Sequence, residues 1–184
     1  EKKASGIAGT ALSSLAISGL ILAVIVLMFL KTLLTLFGAT ADVMPYAVDY
    51  TGITALGLPF YILSVGGNHI VRADRSPTYS MVCIMIGAII NTILDPLFIF
   101  GFGWGIKGAA WATVIGQVAS GVLVIVYFCK FRKMYLSGGM LKPKLSYLKV
   151  IISLGLASCI NQIAMAIVQI VLNNILRYYG ANSV

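Results

Sequence analysis

The sequence predicts an all-α, polytopic membrane protein with five transmembrane helices, and three observations carry that prediction. Of 184 residues, 60% are hydrophobic and only 10% charged, where a soluble domain carries about a quarter charged residues. The mean hydropathy is +1.00. The charges leave four uncharged runs, 7–30, 50–68, 108–128 and 150–176, and a fifth, 79–102, whose sole charge is Asp95. Each run is near or above the ~20 apolar residues that a helix needs to cross a bilayer. A backbone in lipid must satisfy its own hydrogen bonds, so these runs are helices. Barrel strands would be about half as long and would alternate in polarity, which none of the runs does.

Taken in order, the spans lie at about 7–36, 45–71, 78–102 and 107–129, with a fifth inside 149–184. The first pair turns at "GATADVMP" and the second at "GFGWGIKG", both on the same side. "RADRSP" joins the two pairs on the other side, where Pro77 suits the first turn of a helix because its missing N–H costs nothing there. Pro59, preceded by Gly57, predicts a bend in the second span. The longest connection, 130–148, is basic and carries Gly-Gly and Lys-Pro. It is the predicted boundary between two bundles, with the fifth span opening the second.

Lys and Arg set the orientation. The flanks on one side hold Lys2, Lys3, Arg72, Arg75, Lys130, Arg132, Lys133, Lys142, Lys144 and Lys149; the other side holds Lys31, Lys107 and Arg177. The richer side is expected to be cytoplasmic, placing residue 1 inside and residue 184 outside. Topogenic loops account for most of the +8 charge, so no nucleic-acid partner is called for. A basic segment beside the membrane also suits contact with anionic lipid. The three cysteines have no ligand-like spacing and read as small apolar fillers. The chain begins at Glu1 and stops at "GANSV" just after a span, as expected of a segment of something larger.

Two small-residue faces should pack together. The fourth span has Gly108, Ala112, Gly116 and Ser120 at every fourth position, and the third has Cys83, Gly87, Asn91 and Asp95. Such faces let helix backbones approach closely in lipid. Asn91 and Asp95 are one turn apart and can share a partner. Pro96 removes the hydrogen bond to the Thr92 carbonyl and bends the helix. With the turn near Trp104, Asp95 and Thr113 both lie roughly 13 Å below it at ~1.5 Å per residue, and Asn91 matches Gln117 one turn deeper. These four side chains form the candidate polar pocket. A charged aspartate in lipid costs several kcal/mol, so Asp95 is expected to take a proton or pair with a cation, Na⁺ included.

Other polar residues have plainer readings. Lys31 and Asp49 flank the first outer turn and are expected to pair. His69 is an interfacial residue. Asn161, Gln162, Gln169, Asn173 and Asn174, with Met165, make the fifth span amide-rich, so that it should face a bundle interior or an aqueous cavity, or hydrogen-bond to other helices.

"NTILDPLFIFGFGWGIKGAAWATVIGQ", preceded by "NHIVRADRSPTYSM", resembles the multidrug and toxic compound extrusion (MATE) transporters. The shared pattern stands here at Asn91, Asp95, Pro96, Gly101, Gly103, Gly105, Gly108, Ala109, Ala110, Ala112 and Thr113. The resemblance implies the third to seventh of twelve helices in a two-lobe fold. Residues 1–129 would belong to the amino-terminal lobe, 130–148 to a cytoplasmic inter-lobe linker, and 149–184 to the first helix of the carboxy-terminal lobe. It further implies an antiporter of the cell membrane, not an enzyme, with no cofactor. Such a protein exports small cationic, lipophilic compounds against H⁺ or Na⁺ by alternating access, together with the parent chain's missing helices. The family's cation site maps onto Asn91, Asp95 and Thr113; Gln117 is an addition from depth-matching. Arg75 departs from the family, which usually has Gly there. The alternatives are a lipid-linked sugar flippase, which calls for basic residues inside the spans, and a non-transporting membrane scaffold. A channel would need charge rings, and no nucleophile–base pair or metal cluster points to an enzyme.

Overall fold

The computed structural model describes residues 2–131 and 145–178. All regular structure among them is helical: α1 (Lys2–Met28), α2 (Leu30–Leu36), α3 (Met44–Ala73), α4 (Pro77–Pro96), α5 (Gly105–Val126) and α6 (Leu145–Tyr178), with π-helical stretches at Leu97–Gly101 and Tyr127–Phe131. Five segments are long and apolar enough to cross a membrane: Gly6–Met28, Met44–Ala73, Pro77–Gly101, Gly105–Lys130 and Ser158–Ile175. They match the five expected spans. Most of the expected linker, 132–144, and the end of the chain, 179–184, lie outside the described residues.

The first span differs in one detail. It is interrupted at Phe29 (φ −107°, ψ 22°), although Phe29 N–H still donates to Ile25 O and Leu33 N–H to Phe29 O. Nothing in the local sequence explains the interruption. Pro59, by contrast, does not break α3, which runs unbroken from Met44 to Ala73. Gly19 of α1 approaches so closely there that a Cβ on it would lie 2.9 Å from Pro59 Cα.

α5 is the centre of the bundle and packs along both α3 and α4, while those two touch each other less. Its residues explain why. Gly108, Ala112, Gly116 and Ser120 are all buried; two of them meet α4, since a Cβ on Gly116 would stand 2.8 Å from Gly87 O and Ser120 Cβ lies beside Gly87, and Gly108 lies against Phe98 in the π-helical stretch that follows. The two small-residue faces therefore pack on each other as expected, backbone to backbone. A second face of α5 meets α3, with Gly121 against Phe60 and Val124 against Gly67. Ser64 and Ser120 hydroxyls join the two helices at 2.6 Å.

The ends of the bundle are tied differently. At the α4–α5 turn, Phe98, Phe102 and Trp104 cluster with ring centroids 5.3–5.8 Å apart, as aromatic side chains do at a membrane interface. Asp49 pairs with Lys107 at 3.3 Å, not with Lys31 as expected. The first turns of α3 run along α5, which brings the first turn of α5 to Asp49. At the opposite end, Asp74 N–H donates to Ile70 O and Ser76 N–H to Val71 O, which closes α3 tightly. Arg75 takes φ 60° to do so, and no other non-glycine among the described residues has a positive φ. That conformation costs an L-residue about 1–2 kcal/mol and suits glycine. The departure noted at Arg75 thus falls where the backbone itself asks for Gly.

α6 lies on the α1–α2 side. Tyr147 packs on Gly6 and Asn173 on Gly38. Asn173 Nδ2 donates to Phe37 O at 3.4 Å and Asn174 Nδ2 to Leu36 O at 3.2 Å, serving the last carbonyls of α2, which a helix end leaves without partners. The amides of this span therefore take the interhelical hydrogen-bonding option at its far end. Asn161, Gln162 and Met165 are exposed among the described residues.

Candidate functional site

The site starts from a helix that changes its winding. Pro96 offers no N–H to the Thr92 carbonyl, and Leu97 N–H donates to Leu94 O instead. The chain then widens into a π-helix over Leu97–Gly101, a deformation frequent at functional sites. Phe102 N–H donates to Leu97 O and Trp104 N–H to Phe98 O. Gly103 (φ 68°) and Gly105 (φ 54°) then turn the chain into α5.

One turn before Pro96, Asn91 stands between two partners. Its Nδ2 lies 3.4 Å from Asp95 Oδ1 on its own helix and 3.5 Å from Thr113 Oγ1 on α5. Both contacts are long for hydrogen bonds. Thr113 spends its own hydrogen on Ala109 O at 2.9 Å, so its oxygen presents only lone pairs to Asn91. The amide donors point at Asp95 and Thr113, which leaves Asn91 Oδ1, the second carboxylate oxygen and the remaining Thr113 lone pair as acceptors. All three side chains are half-buried. One carboxylate with neutral oxygens around it is a donor set for a proton or a hard monovalent cation. It is a poor match to transition metals, which favour nitrogen and sulfur ligands. Among the described residues no three His, Cys, Asp or Glu converge.

The sequence-predicted set is therefore brought together at Asn91, Asp95 and Thr113. Gln117 is placed differently from the expected match with Asn91. Beside Thr113, it is Gly116 and not Gln117 that lies against Asn91, and Gln117 turns its Oε1 toward Gly57 of α3. The wider π-helical turns use more residues per unit of rise, so counting α-helical residues from Trp104 misplaces the register. Gln117 still borders the same space: a cavity of about 330 Å³ between α3, α4 and α5, whose wall includes Asn91, Thr113, Gln117, Ser64, Asn68 and His69.

Sequence reasoning passed over the α3 side of this cavity. Asn68 is 2% exposed; its Nδ2 donates to Ser64 O at 2.9 Å. Its Oδ1, like Gln117 Oε1, is buried with no hydrogen-bond partner among the described residues. The four-residue step from Ser64 to Asn68 is a signal that could have found them, because it sets both on one face of α3. Farther along, Arg72 Nε donates to Ser80 Oγ at 3.0 Å.

Comparison with known proteins agrees with this architecture. The MatE family model matches residues 1–97. Multidrug export protein MepA of Staphylococcus aureus (strain MSSA476) is 32% identical over 163 residues, 88% of this chain and 36% of the relative. The protein of the same name from Staphylococcus haemolyticus (strain JCSC1435) is likewise 32% identical over the same shares. This chain thus spans about a third of the length of the curated relatives it matches. Among solved structures, the MATE multidrug transporter DinF-BH, determined in complex with a ligand, superposes with a TM-score of 0.81 at 30% identity, covering 97% of this chain and 45% of that one. An inward-facing multidrug resistance MATE family transporter of the MOP superfamily shares the fold, with a TM-score of 0.78 at 23% identity over 94% and 45%. A family match over more than half of its residues, and folds that superpose over nearly all of them, establish that this chain belongs to the MatE family.

Proposed function

We propose that the full-length protein is a cation-coupled multidrug exporter, a secondary transporter in which Asp95 carries the coupling ion. The observation that carries this reading is Asn91 standing between Asp95 and Thr113 across two helices, at the edge of a cavity large enough for a small organic molecule. An intramembrane carboxylate is expensive and marks ion pathways. The relatives named above export multiple drugs, which supports small organic, cationic compounds as substrates.

In this reading α1 to α5 belong to the amino-terminal lobe, the basic segment from 130 up to the start of α6 at Leu145 links the lobes, and α6 opens the carboxy-terminal one. Helices outside this segment complete both. Residue 1 faces the cytoplasm and residue 184 the outside of the cell membrane, as the Lys and Arg bias directs. Asp95 accepts H⁺ or Na⁺ from outside as substrate leaves. Losing its charge changes what Asn91 and Thr113 must satisfy, and the Pro96 π-turn, with Pro59 in α3, absorbs the backbone change. The test is export of a fluorescent cation such as ethidium from cells that lack their own exporters and express the full-length protein. It is driven first by a pH gradient and then by a Na⁺ gradient. Export under one gradient names the ion; export under neither removes the coupling reading.

A further inference from the structure

α6 meets α1 and α2 near its two ends. Close to its start Tyr147 packs on Gly6, and close to its end Asn173 packs on Gly38. Between these contacts every residue from Ser158 to Gln169 is exposed. The two ends are held in different ways. At the first, the chain itself runs from α5 into α6. At the second, the hydrogen-bonded partners are 136 and 138 positions apart in sequence, so noncovalent contact alone keeps α2 and α6 together.

That contact is matched group to group. The turn after α2 serves three of its carbonyls: Phe37 N–H donates to Leu33 O, Ala39 N–H to Leu34 O and Gly38 N–H to Thr35 O. The next two, Leu36 O and Phe37 O, are the ones that Asn174 and Asn173 take. Gln169 Nε2 donates to Asn173 Oδ1 at 3.4 Å, which leaves the Asn173 amino group turned to α2. Asn174 Nδ2 also donates to Ile170 O at 2.9 Å, so one hydrogen anchors the side chain on its own helix while the other reaches across. Gly38 makes the turn at φ 94° and leaves the room, since a Cβ there would stand 3.3 Å from Asn173 Cβ.

α2 is the element least tied to the bundle. It is seven residues long, none of them is buried, and the non-helical torsions of Phe29 set it off from α1. Hydrogen bonds between helices in lipid are individually weak, and at 3.4 and 3.2 Å these lie at the long end of the range. A short helix held at its end by two such bonds is a contact that can be made and broken.

We infer that Asn173 and Asn174 form a latch that closes the outer side between the two lobes by holding the end of α2, and that it releases when the protein opens outward. The inference rests on the lobe assignment and orientation proposed above, and not on the role of Asp95.

The test uses the full-length protein with its native cysteines replaced. Leu36→Cys and Ile170→Cys, which line one crevice between α2 and α6, are joined in intact cells by a short bis-methanethiosulfonate, whose disulfides a reductant reverses. The latch predicts that the pair cross-links, that the cross-link stops ethidium export, and that reduction restores it. Failure to cross-link, or export that continues with cross-linking complete, overturns the latch. In a second arm Thr32→Cys, on the same crevice, is labelled from outside with an impermeant methanethiosulfonate. Asn173→Leu combined with Asn174→Leu keeps side-chain size and removes both bonds, so it should speed labelling about fivefold or more by shifting the population toward the open state. Asn174→Leu alone, expected to speed it about twofold, serves should the pair fold poorly. Unchanged labelling overturns the latch. Labelling in inside-out vesicles but not in intact cells overturns the outer placement together with the proposed orientation. If the cross-link stops export while Asp95→Asn still exports, the latch stands and the coupling reading fails. If Asp95→Asn abolishes export while the cross-linked protein still exports, the latch alone fails.

Discussion

Tyr127 donates its phenol hydrogen to Asp74 Oδ2 at 2.7 Å, with both side chains nearly inaccessible, at 1% and 4% exposure. The bond ties the π-helical turn that follows α5 to the end of α3. Tyr79 adds α4 to the same knot, its ring lying tilted against Tyr127 at 4.9 Å between centroids and its hydroxyl donating to Leu123 O. Hydrogen bonds to charged groups contribute about 1.5–3 kcal/mol. Tyr127→Phe removes the hydroxyl and keeps the ring, so it is expected to destabilise the bundle by about 2 kcal/mol. Thermal unfolding of the purified full-length protein in detergent measures this; an unchanged midpoint would show that Asp74 is held by its other contacts.

Arg75 gives the opposite sign. Its φ of 60° is strained for any residue with a Cβ. Arg75→Gly is expected to stabilise the α3–α4 turn by about 1 kcal/mol, the strain released less the entropy that glycine adds to the unfolded chain. A lower midpoint than wild type would show that the Arg75 side chain contributes more than its backbone costs.

The α4–α5 contact should tolerate no added atom. A Cβ on Gly116 would stand 2.8 Å from Gly87 O, which is main chain and cannot swing away. Gly116→Ala is therefore expected to cost about 1–3 kcal/mol by overpacking. Gly52→Ala is the control, because a Cβ there meets only Leu30 Cδ2 at an ordinary 3.8 Å. It should be neutral or gain up to about 1 kcal/mol of helix propensity. Comparing the two unfolding midpoints separates packing from propensity.

The Asp49–Lys107 pair should matter little. The two side chains are 47% and 60% exposed, and exposed ion pairs contribute about 0–1 kcal/mol. Asp49→Asn is expected to shift stability by less than about 0.5 kcal/mol. A larger loss would mean that the pair is buried by helices outside this segment.

What could be read from the sequence divides along a physical line. Spans 44–73, 77–101 and 105–130 were legible because, Asp95 apart, charge is confined to their ends. Asn91 and Asp95 were legible as a pair because four residues make one helical turn. Thr113 could be added because a short hairpin fixes depth. Gln117 was assigned to the right cavity but the wrong neighbour: no local signal announces that the helix after Pro96 widens, and Gly116 reaches Asn91 instead. Ser64 and Asn68 were missed for another reason. Their four-residue step sets them on one face of α3, but only the packing of α3 on α5 turns Ser64 and Ser120 into a bonded pair. Lys107 was likewise invisible as a partner for Asp49, since 58 positions separate them and only the packing of α3 along α5 brings them together.

The central claim is that Asp95 carries the coupling ion, and Asp95→Asn tests it most directly. The amide keeps the shape and can still accept from Asn91 Nδ2, so the helix pair is expected to fold and insert normally, while the group can no longer gain or lose a proton or neutralise a cation. The measurement is ethidium efflux from exporter-deficient cells holding equal amounts of inserted wild-type or Asp95→Asn full-length protein, under the gradient that drives the wild type. The account predicts that the variant's efflux falls to that of cells without the transporter. Efflux at the wild-type rate would contradict it and make Asp95 a structural hydrogen-bonding partner of Asn91.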